Sequence, residues 1–261
     1  MSSRTGLVIT TYNNELLLES VTKNLLLDSV DVAVIVNGGD EYNNIKNYKQ
    51  FSIIQHSSNL GPCQSRIDGI QYLLDNNCEH IFIVEDDMLF KNKDIFSRYV
   101  KAHYETGLNY FCFCSDAPGN GVPNRRTPHS KVQYVNETIH FYREMNNEFT
   151  YHHVSLFEDV GMYDKQFEHM WDVDFVYRIL EHDVHGCGFR NFPDVHDSDL
   201  YIMNNPDSVS RLNQNNQRNI NLMKYISMFN KKHNCDVTRV GQFDTSVLRT
   251  RLKQIFYEKN S

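Results

Sequence analysis

Hydrophobic and polar positions switch between two periods along the first half of the chain. Gly6-Leu-Val-Ile-Thr-Thr-Tyr12 is a short apolar, β-branched run that predicts a strand, and Glu15–Leu27 carries apolar residues at helical spacing. Asp31–Val36 predicts a second strand, stopped by Asn37-Gly38-Gly39-Asp40. Phe51–Ile54 predicts a third, and Pro62–Asn76 a helix with Ile67, Ile70, Leu73 and Leu74 on one face. Ile81–Val84 reads as a fourth strand, residues 94–104 as a helix, and Tyr110–Cys114 as a fifth strand. This alternation predicts an α/β fold: right-handed crossovers and a mainly parallel, twisted sheet with helices on both faces.

After Ser115 the pattern loosens. Pro118, Gly119, Gly121, Pro123 and Pro128 mark residues 116–128 as a long loop. Val132–Tyr142 and Val184–Phe189 look strand-like, whereas Ser155–Val160, Asp172–His182 and Val209–Asn230 look helical. The expected organisation is one domain over residues 1–205, with its halves at 1–115 and 116–205, and a small C-terminal helical extension over 206–261. That extension could cap a site, form a dimer contact or simply pack.

With 261 residues, 40% of them hydrophobic, the chain can bury a substantial core. A net charge of −7 offers no general attraction for nucleic acid or an anionic membrane. Six cysteines without a Cys-x-x-Cys pair exclude zinc-ribbon and thioredoxin-type sites and read as core thiols. No signal-peptide pattern opens the chain and no apolar stretch is long enough to span a bilayer, so a cytoplasmic protein without a transmembrane segment is expected. Local positive charge gathers at Arg125, Arg126, His129 and Lys131, and again at Lys231, Lys232, His233, Arg239, Arg249, Arg251 and Lys253. Such clusters are solvated surface or a hold on an anionic substrate.

The chemistry concentrates in Ile81-Phe-Ile-Val-Glu-Asp-Asp87, where an apolar strand runs into three consecutive carboxylates. Packed like charges repel, and a solvated turn or a divalent cation relieves that repulsion. The carboxyl end of a central strand is where open α/β sheets hold their ligands, which favours the cation.

Several segments then resemble one family in its own order. Val8-Ile-Thr-Thr-Tyr-Asn13, Asn59-Leu-Gly-Pro-Cys-Gln-Ser-Arg-Ile-Asp-Gly69, Val84-Glu-Asp-Asp-Met88, Phe157–Phe167 and Trp171-Asp-Val-Asp-Phe-Val-Tyr-Arg178 are similar to the sequence blocks of family 2 glycosyltransferases. The resemblance spans residues 6–200 and implies the GT-A fold, with a nucleotide-sugar half over 1–115 and an acceptor half over 116–205. It implies a UDP-sugar donor and Mn2+ or Mg2+, with Asp87 as direct metal ligand and Glu85 and Asp86 acting through water or on the ribose and sugar. His196 is either a further metal ligand or a surface histidine. Thr10, Tyr12 and Asn13 would flank the base, Gly61 would let backbone approach the donor, and Arg66 would meet uracil or a phosphate. The acid that normally meets uracil in this family falls at Asn37, a departure from the pattern.

Asp172 aligns with the family's general base, while Trp171 stands where the family has Glu and could stack on a sugar or pack. Asp174 and Arg178, four residues apart on one helix, can form an ion pair. The implied activity is metal-dependent, inverting transfer of a hexose, glucose or an N-acetylhexosamine, to a hydroxyl of a glycan or glycosylated macromolecule. One alternative is a bacteriophage-type enzyme that extends glucosylated hydroxymethylcytosine in DNA; another is a non-catalytic carbohydrate-binding relative. A sugar-nucleotide pyrophosphorylase would need a glycine-rich phosphate loop after the first strand, and Thr10-Thr-Tyr-Asn-Asn14 has no glycine. Oligomeric state is not legible.

Overall fold

The computed structural model describes residues 3–23, 25, 30–39, 48–114, 127–145, 147–167, 170–205 and 217–236. In chain order the elements are β1 (Thr5–Thr11), α1 (Glu15–Lys23), β2 (Val32–Asn37), β3 (Ser52–Gln55), α2 (Gly61–Asp75), β4 (His80–Glu85), β5 (Met88–Phe90) and α3 (Ile95–Thr106). There follow β6 (Tyr110–Cys112), β7 (Ser130–Gln133), β8 (Thr138–Tyr142), β9 (Phe149–His153), α4 (Ser155–Asp159), α5 (Trp171–Leu180), β10 (Phe192–Val195), β11 (Ile202–Asn204) and α6 (Gln217–His233).

The main sheet has the order β3-β2-β1-β4-β9-β6. Strands β3, β2, β1 and β4 are parallel, and β9 runs antiparallel between β4 and β6. The expected mainly parallel sheet is therefore present, centred on β1, which is buried along its whole length. Gly6, Val8 and Thr10 share one face with Ile81, Ile83 and Glu85, as their pairing requires. Helix α2 lies on that face. An added Cβ on Gly6 would stand 2.8 Å from Leu73 Cδ1, and one on Gly69 would overlap Val8, so two glycines set how closely helix and sheet approach. Helix α5 covers the same face further along, where Phe175 meets His152 with ring centroids 5.7 Å apart.

Helix α3 covers the opposite face. Phe96 and Tyr99 meet Phe82 edge-on at 4.9 and 6.4 Å, and Tyr99 also reaches Phe149 at 5.2 Å and Phe111 at 5.8 Å. Helices thus sandwich the sheet, as the alternating pattern predicts.

Four strands were not legible in the pattern. Met88–Phe90 pairs antiparallel with Ile202–Asn204, and Phe192–Val195 pairs with Thr138–Tyr142. Phe149–His153 is the inserted antiparallel strand. The expected single strand Val132–Tyr142 is instead the β7–β8 hairpin. The expected strand Val184–Phe189 is a run of turns, with Gly188 and Arg190 at φ 85° and 65°, and the strand forms a few residues later.

The expected helix over Val209–Asn230 is described from Gln217 as α6; residues 206–216 and 237–261, with most of the expected extension, lie outside the described residues, as do 115–126 of the long loop. What is described of α6 packs on the domain. Phe229 is fully buried against Tyr177 and Phe167, and Tyr225 and Phe229 join the common core. Lys232 Nζ and His233 Nε2 each stand 2.8 Å from the buried carboxylate of Asp174. All six cysteines are free thiols. Among the described residues no helix is long and apolar enough to cross a membrane.

Two buried histidines make the fold acid-sensitive. Burial, then the nearby His153, pushes His80 down to about 4, and burial, then Arg66, pushes His152 down to about 3. Both ring nitrogens of His152 lack a hydrogen-bond partner among aromatic neighbours. The folded state keeps both rings neutral, so below the ordinary value of 6.5 the unfolded chain binds more protons and stability falls with pH. A His152→Phe variant should lose about 2 kcal/mol less than wild type between about pH 8 and about pH 5. Urea unfolding at the two pH values checks this; equal losses would place the acid sensitivity elsewhere.

Candidate active site

Strands β1, β2 and β4 end together, and the turns leaving them form one rim of the site. Thr11 pairs with Asn37 on β2, while Thr10 pairs with Glu85 on β4. The Thr11 hydroxyl donates to Asp86 Oδ2 at 2.6 Å, which fixes the acidic turn to the end of β1. Thr10 is buried on the α2 face beside Glu85, so it is Thr11, on the other face, that binds Asp86. Sequence reading missed Thr11, although strand alternation from Thr10 was available as a signal.

Asn37 is fully buried and closes its own turn. Its Nδ2 donates to Gln55 Oε1 at 2.9 Å and its Oδ1 accepts the Gly39 N–H at 3.0 Å. A Cβ on Gly39 would overlap Asn13, so this turn sits directly on the β1 exit. Asn13 itself holds φ 50°, a left-handed conformation that asparagine tolerates, and Tyr12 is exposed beside it. The neighbouring Asp40 lies outside the described residues. Gly61 opens α2 at φ 80°, where a side chain would be strained, and nothing stands within 4 Å of where its Cβ would be. Asn59 Oδ1 accepts its N–H at 2.9 Å.

Arg66 does not lie open to a donor molecule. Its guanidinium is buried, with Nη2 donating to Glu85 Oε1 at 2.5 Å and to the Asn147 carbonyl at 2.8 Å, and Cζ is 4.8 Å from the centre of the Trp171 ring. Burial opposes its charge, but Glu85, Tyr163 and Asp172 outweigh it and hold the guanidinium above its ordinary range. Trp171, likewise buried, packs between Arg66 and Tyr163 rather than offering a face to a sugar. Burial pushes the Tyr163 hydroxyl up to about 12.

The acids beyond Arg66 are differently placed. Burial pushes the Asp86 carboxyl up to about 7; the Thr11 hydrogen bond opposes this, and the charges of Asp87 and Glu85 add to it. Burial also raises Glu85 against the pull of Arg66. Asp87 is buried, and its carbonyl accepts the Asn205 N–H at 2.7 Å, which ties the acidic turn to the end of β11. Crowded carboxyls with raised values are what a bound cation would relieve, and their oxygens suit Mg2+ or Mn2+. Among the described residues no three His, Cys, Asp or Glu side chains are arranged as a closed metal cage. A cation at the acidic turn would therefore draw most of its shell from water and phosphate oxygens, as Mg2+ commonly does.

Asp172 stands in the first turn of α5, where the helix dipole favours an anion. Its Oδ1 accepts the Val173 N–H at 2.8 Å and its Oδ2 accepts Asn147 Nδ2 at 2.9 Å. Asn147 was missed by sequence reading, because only recognition of β9 would have placed it here. The expected Asp174–Arg178 pair is present at 3.0 Å, and Arg178 Nη2 also donates to the Met162 carbonyl at 2.7 Å.

His196 follows β10, not the expected strand over 184–189. Its Nδ1 faces Glu137 at 3.6 Å and Asp197 at 3.9 Å, beside the Arg98 guanidinium that pairs with both acids. Of the two cationic clusters, Arg125 and Arg126 lie outside the described residues, as do Arg239, Arg249, Arg251 and Lys253. Lys232 and His233 are spent on Asp174.

No family model matches the chain, and no curated protein matches it in sequence. Solved structures do match in shape. S. aureus TarS 1–349 in complex with UDP-GlcNAc superposes with a TM-score of 0.63 at 12% identity, over 97% of this chain and 71% of that one. The chain has the GT-A fold. Longer S. aureus TarS matches with a TM-score of 0.59 at 10% identity over 97% of this chain, which spans only 43% of TarS. GalNAc-T7 with UDP, GalNAc and Mn2+ matches with a TM-score of 0.53 at 12% identity, covering 97% of this chain and 54% of that one.

Removing Arg66 leaves the half-buried Glu85 without its counter-charge. Arg66→Met should lower stability by about 1–3 kcal/mol, less than breaking a fully buried pair, because Glu85 stays 35% exposed to screening solvent. Arg66→Lys should recover little, because an ammonium cannot reproduce the guanidinium fork. Denaturant unfolding of both variants measures this, and wild-type stability in Arg66→Met would refute the pairing.

Proposed function

We propose that this protein is a metal-dependent, inverting glycosyltransferase that moves a hexose from a UDP-sugar to an acceptor hydroxyl of a glycan or glycosylated macromolecule. One observation carries the reading: in a GT-A fold, the Glu85-Asp86-Asp87 turn and Asp172 are joined through Arg66 and Asn147. This link supports reading the turn as the donor side and Asp172 as the acceptor side of one site. The bound UDP-GlcNAc of TarS and the UDP and Mn2+ of GalNAc-T7 support the donor and cation classes.

Asp87 is the proposed direct ligand of Mn2+ or Mg2+. His196 is the proposed second ligand: its imidazole is 46% exposed and is flanked by two carboxylates, as the rings of metal-bound histidines usually are. A cation held there would stabilise the diphosphate as it leaves the sugar. Thr11 holds Asp86 in place, and Glu85, neutralised by Arg66, leaves the turn less repulsive toward a diphosphate. Tyr12, Asn13 and the Asn37–Gly39 turn form the proposed nucleoside side, with Gly61 admitting the donor close to backbone. Asp172 takes the proton of the acceptor hydroxyl as its oxygen attacks the anomeric carbon opposite the departing UDP.

Asp87→Asn should abolish metal-dependent UDP binding in calorimetry with and without Mn2+, and sugar transfer with it, while circular dichroism stays native. Retained Mn2+-dependent affinity would remove Asp87 as ligand, and its absence in the wild type would leave a carbohydrate-binding relative. Asp172→Asn should lower turnover by about 10²-fold or more with UDP affinity unchanged. Loss of UDP affinity instead would move the base elsewhere. Transfer from UDP-glucose and UDP-GlcNAc to a panel of saccharides and glucosylated hydroxymethylcytosine DNA identifies the acceptor class.

A further inference from the structure

We infer that Asn147 is the positioning residue for Asp172, and that Arg66 locks this pair to the acidic turn; the inference rests on the transferase reading above. Asn147 immediately precedes the Glu148 carbonyl that accepts the Glu85 N–H at 2.9 Å. Because β9 is antiparallel to β4, its leading residues lie at the tip of β4, where a parallel strand would have placed its trailing ones. Asn147 is thereby held next to Glu85, although 62 residues separate them in sequence (147 − 85).

Two hydrogen bonds then act through one residue. Arg66 Nη2 reaches both Glu85 Oε1 and the Asn147 carbonyl, which pins the Asn147 backbone to the acidic turn. The Asn147 side chain turns the other way and donates Nδ2 to Asp172 Oδ2 at 2.9 Å. Only the amide's NH2 end can face a carboxylate, so this contact fixes the amide orientation as well. Asp172 Oδ1 is already held by the Val173 N–H, so the carboxylate is gripped on both oxygens and cannot rotate freely.

A base gripped in this way is aimed rather than activated. Donors on both of its oxygens fix where the carboxylate points, and a misplacement of about 1 Å can cost on the order of 10²-fold in rate. The same chain of contacts makes the donor side and the acceptor side of the cleft move as one body. A shift of the acidic turn passes to Arg66, then to the Asn147 backbone, then to the base.

The test uses the full chain and UDP release from UDP-GlcNAc or UDP-glucose, whichever the wild type turns over, with Mn2+ present. Asn147→Ala should lower kcat by about 10- to 100-fold, with KM for the sugar nucleotide and UDP affinity changed less than about twofold. Asn147→Leu, which keeps the volume and lacks the donor, should behave alike; it replaces the alanine variant if that one is misfolded by circular dichroism. In an Asp172→Asn background, either substitution should cost nothing further, because its effect passes through Asp172. A full multiplicative loss in the double variant, an unchanged kcat, or a matching fall in UDP affinity would each overturn the positioning role while leaving the transferase reading intact. A wild type that releases no UDP from either sugar nucleotide sinks the transferase reading, and this inference with it.

Discussion

A buried guanidinium must find its counter-charge inside the protein, because it does not shed its proton. Arg66 finds it in Glu85, and the demands of that pair organise the cleft. The guanidinium draws in a carbonyl from the segment before β9, an indole face from the start of α5 and the Tyr163 ring from the preceding loop. Four separate stretches of chain meet at one side chain. Arg66 offsets the charge of Glu85, so the acidic turn carries less net negative charge than three unpaired carboxylates would.

The inserted strand β9 is the second constraint. It joins β4 to β6 and places Phe149 and Tyr151 on the α3 face, and Thr150 and His152 on the face shared by α2 and α5. The α3 face becomes a continuous aromatic packing of Phe82, Phe96, Tyr99, Phe111 and Phe149. The other face receives a neutral imidazole with no hydrogen-bond partner, a cost the surrounding burial of aromatic surface offsets at neutral pH. By running antiparallel, β9 also delivers Asn147 to the tip of β4. Stability of the sheet and the setting of Asp172 therefore share one structural decision.

The C-terminal helix contributes at a distance. Asp174, fully buried on α5, is met by Arg178 from its own helix and by Lys232 and His233 from α6. This clamp seats α5, whose first turn carries Asp172, and engages Lys232 and His233 of the basic C-terminal cluster.

The sequence alone determined the parallel half of the sheet, its crossovers and the acidic turn. Apolar runs of strand length and helices with one apolar stripe have few ways to bury both, and three carboxylates after such a run can only sit at a strand tip. The Asp174–Arg178 pair was legible too, because helical spacing is local. What tertiary structure decided was everything that depends on partners distant in the chain. Whether Arg66 faces a ligand or an internal acid, whether Trp171 stacks or packs, and whether Thr10 or Thr11 meets Asp86 follow from register and burial, which no local window contains. The strands β5, β9, β10 and β11 escaped for the same reason: short segments of three to five residues become strands because a neighbour completes their hydrogen bonds, not because of their own pattern.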